Sequence, residues 1–102
     1  MNRLLLDEEL KNTLPRLYEQ DKSEVKILHA SFYHPIYTWA WYALYYSPLQ
    51  KLFSGVVEGE FLEYGYFTLD ELDRIGAIRD YHFKARVLKH GVNYGKRTVW
   101  NQ

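Results

Sequence analysis

Apolar residues recur about every four positions in "LLLDEELKNTLPRLYEQ", at Leu6, Leu10, Leu14 and Leu17 or Tyr18, which is the period of one helical face. Asp7, Glu8 and Glu9 open this run, where the positive end of a helix favours acids. Pro15 lacks an amide donor and restricts Leu14, so the pattern predicts an amphipathic helix ending near Thr13, with a further turn able to restart at Pro15. After the polar cluster "EQDKSE" the period changes from four to two. "VKILHASF" reads as a strand, and "YHPIY" interrupts because Pro35 is poorly tolerated inside a sheet. In the next run, "TWAWYALYY", alternation sets Trp39, Trp41, Ala43 and Tyr45 on one face and Ala40, Tyr42, Leu44 and Tyr46 on the other. Neither side is built for water, which is the pattern of a central strand covered on both faces.

"SPLQK" is a turn, after which "LFSGVVEG" and "EFLEYGYF" predict two more strands joined around Gly59. In the second, Phe61, Glu63, Gly65 and Phe67 alternate with Leu62, Tyr64 and Tyr66. Strands this close in sequence connect most simply as antiparallel neighbours. "FTLDEL" is a capping box, with Thr68 and Glu71 exchanging bonds and Phe67 stapled onto Leu72, and it predicts a helix from Leu69 to about Ile75 stopped by Gly76. "IRDYHFKARVL" alternates weakly, as a last strand or extended edge, and "KHGVNYGKRTVWNQ" reads as a loose tail. The expected fold is α+β: an N-terminal amphipathic helix packed on an antiparallel sheet of about four strands, plus a short capped helix near residues 69–75. Residues 1–88 are expected to form a single α+β domain, and residues 89–102 a basic C-terminal tail with the composition of a flexible one.

Composition narrows this picture. The chain's 102 residues suffice for one core, and its 47% hydrophobic and 18% aromatic content makes that core ring-rich, with Trp39, Trp41 and Tyr42 as available volume. There is no cysteine, which excludes disulfides, thiolate nucleophiles and zinc sites built on Cys. "MNRLLLDEEL" is too short for a signal peptide and no apolar run reaches membrane-helix length, so a soluble, cytoplasmic protein with no membrane partner is expected. Charge is uneven: seven Lys or Arg stand against twelve Asp or Glu up to Ile78, and six against one from Arg79 onward. The basic end is either a solvated terminus or a surface for an anionic partner met by Lys84, Arg86, Lys89, Lys96 and Arg97.

The string "TWAWYALYY", "FSGVVEG", "EYGYFTLDEL", "IRDYHF" resembles, in order and spacing, domain-of-unknown-function family 2958, a bacterial family. The opening "LLLDEEL…LPRLYEQD" is similar to that family's Leu-rich start, so the resemblance runs from about Arg3 to Phe83. It implies an accessory role on plasmids, phages and other mobile elements, and implies no reaction. Where the family's pattern carries an acid after the Trp-rich strand this chain has Tyr45 and Tyr46, so no role resting on that acid carries over. The basic tail after Leu88 lies outside the resemblance.

Signatures of chemistry are sparse. "GVVEGE" and "GVNYGK" lack the spacing of a phosphate-binding loop, and no serine stands in a nucleophile elbow. A functional cluster of Glu63, Arg79, Asp80 and His82 is the best catalytic candidate, since Asp80 and His82 share a face of an extended segment. The competing account is an ion pair of Arg79 with an edge histidine, and His29 and His34 add ligands only through a fold that brings them near. No catalytic residue, metal or cofactor is predicted outright. Glu58, Glu60 and Glu63, with Asp70, Glu71 and Asp73 beyond, form either a solvated acidic face or a surface that docks onto a basic partner. The leading expectation is a small non-enzymatic interaction protein of bacterial mobile elements, binding or inhibiting a protein partner through Glu58, Glu60 and Glu63. The alternative is a single-stranded nucleic-acid-binding protein using ring stacking and the basic tail. A metal-assisted enzyme centred on Asp80 and His82 comes third.

Overall fold

The computed structural model describes residues 5–17 and 26–88. Its elements in chain order are α1 (Glu8–Thr13), β1 (Lys26–Leu28), β2 (Ala30–Tyr33), β3 (Ala40–Ser47), β4 (Leu52–Glu58), β5 (Leu62–Thr68), α2 (Leu69–Ile75), β6 (Ile78–Arg79) and β7 (Arg86–Leu88). The fold is α+β, with an antiparallel five-stranded sheet ordered β5-β4-β3-β2-β6 and a two-stranded ribbon of β1 and β7. The main sheet has five strands rather than the expected four because the start of "IRDYHFKARVL" joins it as β6, and both that run and "VKILHASF" divide between the sheet and the ribbon. "VKILHASF" leaves the main sheet at His29, so that β1 pairs with β7 while β2 pairs with β3. "IRDYHFKARVL" is broken by a turn in which Asp80 Oδ1 accepts from the His82 amide at 2.9 Å, separating β6 from β7. The expected tail, residues 89–102, lies outside the described residues.

Local rules account for both helices. Asp7 caps α1 by accepting from the Leu10 amide at 2.9 Å, and its carboxylate faces the Arg79 guanidinium at 3.2 Å. That second contact is an ion pair rather than an aligned hydrogen bond, since the buried Arg79 Nη1 makes no hydrogen bond among the described residues. The amide bond first, and then Arg79, hold the Asp7 carboxyl below its ordinary range against the opposing effect of burial. At α2 the predicted capping box forms: Thr68 Oγ1 accepts from the Glu71 amide at 2.9 Å and Glu71 Oε1 accepts from the Thr68 amide at 2.9 Å. Gly76 ends α2 in the left-handed region, at φ 84°.

The sheet is covered on both sides, so two cores form. On what we term the helical face, Leu10 and Leu14 from the N-terminal segment and Leu72 and Ala77 from around α2 meet Phe32, Phe53 and Phe67. The rings pack closely: Phe53 lies 5.1 Å from Phe67, 5.5 Å from Phe32 and 4.7 Å from Tyr46. On the ribbon face, Leu28 and Leu88 cover Leu44, Tyr45, Val56 and Leu62.

β3 is the central strand, as its two-sided pattern predicts, but its alternation fails at Leu44. Ala43 pairs with Gly55 and Tyr45 with Ser54, leaving Leu44 as the extra residue of a β-bulge. Beyond the bulge the faces exchange: Tyr46 joins Trp41 and Ala43 on the helical face, while Tyr45 joins Leu44 on the ribbon face. The expected grouping of Tyr45 with Trp41 and of Tyr46 with Leu44 is therefore corrected. Gly55 permits the bulge, because a Cβ there would sit 1.8 Å from the Tyr42 carbonyl oxygen.

Candidate binding groove

One end of the helical face is left open, and a loop built on His34 shapes it. His34 Nδ1 lies 3.1 Å from the amides of both Ile36 and Tyr37, so it must accept, which places the ring hydrogen of neutral His34 on Nε2. Nε2 then donates to the Ile75 carbonyl at 3.0 Å, satisfying one of the orphan acceptors at the end of α2. The loop between β2 and β3 is thereby fastened to α2. The Tyr37 ring adds a contact 4.8 Å from the imidazole.

Trp39 leaves this loop just before β3 begins. Its six-membered ring lies against Gly59, where a Cβ would come within 2.5 Å of it, and its centroid is 6.2 Å from that of Trp41. Trp39 is 44% exposed whereas Trp41 is 7% exposed, so only Trp41 meets the expectation that both fill the core. The physical reason is position: Trp39 precedes the paired residues of β3, and Gly59 offers it a flat seat outside the sheet interior. Tyr42, the third expected core ring, is half-buried on the ribbon face, where its hydroxyl donates to Glu58 at 3.0 Å. Burial, and then the Glu58 charge, push that phenol well above its ordinary range.

Three shallow hollows join around Trp39. The first, of about 400 Å³, lies between Trp39, Phe61 and β5 and is also lined by Gly59, Glu60, Glu63 and Gly65. The second, about 360 Å³, is lined by His34, Tyr37, Trp39, Trp41 and Ile75. The third, about 310 Å³, runs from Trp41 and Val57 to Leu72, Arg74 and Ile75. Trp39, Trp41, Val57 and Ile75 are shared walls, so the hollows form one groove. Exposed Tyr37, Phe61 and Tyr66 lie along it, a concentration of apolar surface that folded domains seldom leave without use.

The residues singled out from the sequence are divided by this geometry. Glu60 and Glu63 line the first hollow, whereas Glu58 turns to the other face of the sheet, so the three acids are not one surface. Glu71 is engaged in the capping box while lining the third hollow, and Asp70 pairs with Arg74. Glu63 lies on edge strand β5 and Arg79 on the opposite edge strand β6, four strand spacings or about 19 Å apart. The proposed cluster of Glu63, Arg79, Asp80 and His82 therefore does not assemble. Arg79 instead pairs with Asp7 and stacks 4.6 Å from the Tyr81 ring, Asp80 holds its turn, and His82 is exposed.

No group of three or more His, Cys, Asp or Glu is placed to hold a metal ion among the described residues. His29 is half-buried, its amide donates to the Ala43 carbonyl at 2.9 Å, and burial lowers its imidazole from the usual value. Lys84 and Arg86 are exposed, with Arg86 5.3 Å from the Phe83 ring near the ribbon, while Lys89, Lys96 and Arg97 lie outside the described residues. Sequence reasoning missed His34 as a loop organiser. Its signal was a ring acceptor placed two and three residues before free amides in "YHPIY", the arrangement that Asp and Asn exploit in turns.

No family model matches the chain, and no curated protein or solved structure matches it.

Proposed function

We propose that the protein is a small non-enzymatic interaction protein, acting in the cytoplasm, that binds a protein partner through the groove around Trp39. The observation that carries this reading is the half-exposed Trp39 seated on Gly59, whose walls continue into Trp41, Val57 and Ile75. Tryptophan is among the residue types enriched at the anchoring positions of protein interfaces. The N-terminal amphipathic helix is scaffold in this reading, closing the rest of the helical face. The resemblance to domain-of-unknown-function family 2958 supports an accessory role on a bacterial mobile element, with interference in a host process as its purpose.

Single-stranded nucleic acid is the second reading, because exposed rings are also stacking platforms. It is the weaker one, since a polyanion entering the first hollow meets Glu60 and Glu63, and in the third meets Glu71 beside Arg74. Two measurements separate the readings. Tryptophan fluorescence should stay flat with a mixed-sequence single-stranded oligonucleotide at low and physiological salt. Affinity capture from a bacterial host lysate should retain a protein that Trp39→Ala and Ile75→Asp both release while melting temperature holds. Salt-sensitive quenching by the oligonucleotide, lost in Trp39→Ala, would transfer the groove to nucleic acid.

A further inference from the structure

We infer that the hollow beside β5 receives an arginine side chain from an extended partner segment that adds to the β5 edge; the inference rests on the protein-binding reading of the groove. Three features of the same place lead to it. The first is the edge itself. β5 is seven residues long and, among the described residues, has β4 as its one paired neighbour. Sheet edges of this length are usually blunted by charged residues, proline or a bulge; "LEYGYFT" has no lysine or proline and pairs with β4 without a register shift, and its one charge, Glu63, lines the hollow. An edge of this kind is a template for an added strand, whose backbone supplies affinity and whose alternate side chains supply selectivity.

The second feature is the path from that edge into the hollow. Glu63 and Gly65 are two apart on β5, line the hollow, and pair with Val57 and Gly55 of β4. An added strand lies about 4.8 Å outside β5 and about twice that from Val57, so only a long side chain crosses. Gly65 leaves the crossing open.

The third feature is charge and shape. Glu60 and Glu63 line the hollow together with the rings of Trp39 and Phe61, and among the described residues its lining includes no Lys, Arg or His. A cation entering there meets the attraction of the Glu63 carboxylate. Flat ring faces beside a carboxylate select a guanidinium over an ammonium, because the planar fork can stack on indole while bonding a carboxylate through two N–H groups. At about 400 Å³ the space falls within the range of small-ligand pockets.

The test uses the intact chain and a displayed library of random linear peptides long enough to pair along all of β5. Selection on the wild-type protein, counter-selected on Trp39→Ala, should enrich peptides with arginine at one fixed position amid β-branched residues. In fluorescence-polarisation titrations of a selected peptide, replacing that arginine by glutamine should weaken binding about tenfold or more, with lysine intermediate. Glu63→Gln should produce a comparable loss, and Glu9→Gln, the same charge change on α1, none. Gly65→Ala serves as the occluding variant: its Cβ meets only Val57 Cγ2, at 3.4 Å, so the melting temperature should hold while affinity falls. Peptides that bind and are lost in Trp39→Ala, but lack arginine or ignore Glu63→Gln, overturn the arginine site and leave the groove as a docking surface. A library that yields nothing above the Trp39→Ala background overturns both.

Discussion

Replacing Gly55 by alanine tests the bulge that sorts the rings of the central strand. The added Cβ would stand 1.8 Å from the Tyr42 carbonyl oxygen, 2.9 Å from its carbon and 3.2 Å from Ala43 Cα. A close carbon–oxygen contact lies near 3.3 Å, so the overlap is about 1.5 Å. All three atoms are backbone, and no rotamer change relieves the clash. β4 is held between β3 and β5, so relief requires either parting β3 from β4 or rebuilding the bulge at Leu44. Overpacking in cores costs about 1–3 kcal/mol where side chains can yield, and a clash confined to backbone belongs at or above the top of that range. A loss of about 3 kcal/mol corresponds to a fall of roughly 12–24 °C in melting temperature for a domain of this size. The assay is thermal and urea unfolding followed by tryptophan fluorescence, with near-ultraviolet circular dichroism reporting the Tyr45 and Tyr46 environments. Gly65→Ala is the matched control, because Gly65 pairs directly with Gly55 yet has room for a Cβ. A fall of less than about 4 °C in Gly55→Ala, or equal falls in the two variants, would refute the close carbonyl approach and the bulge that requires it.

Phe53→Ala should destabilise by about 3–5 kcal/mol in urea unfolding, since it removes the ring that contacts Phe32, Phe67 and Tyr46 together. Thr68→Ala should cost about 1 kcal/mol, and Thr68→Ser much less, because serine keeps the oxygen that accepts the Glu71 amide. Asp7 has a lowered folded value, so its contribution is complete above about pH 4 and is lost as pH falls through that lower value. Asp7→Ala should flatten this acid limb of the melting profile, while Asp7→Asn should retain helix capping at neutral pH without the Arg79 pair. His29, also lowered, contributes fully above about pH 6.5 and loses stability below it, a limb that His29→Gln should remove.

What could be read from the chain alone follows the range of the interactions involved. α2 was legible to the residue because a capping box and a C-terminal glycine act within a few positions. The centrality of β3 was legible too, since a strand apolar on both faces is stable only where both are covered. The bulge was not, because Leu44, Tyr45 and Tyr46 are all apolar enough for either face and periodicity cannot distinguish them. Pairing of β1 with β7 was equally hidden, being decided by contacts far apart in sequence. The same limit governed the site. Grouping Glu63 with Arg79, Asp80 and His82 assumed proximity that strand order denies, and Trp39 was assigned to the interior because its seat on Gly59 joins residues from separate turns.

The ribbon has a consequence for how this chain must emerge from a ribosome. Lys26 pairs with Leu88, 62 residues further on, whereas the meander from Ala30 to Thr68 and the α2 cap close over short distances. Local pairings form early during synthesis and distant ones wait for their partner. The helical face can therefore consolidate while the cover over Leu44, Tyr45, Val56 and Leu62 is incomplete, closed only once Leu88 arrives to join Leu28. A nascent chain stalled before Arg86 would present a half-finished sandwich with one finished core and one side only partly covered, the form in which quality-control factors would meet it.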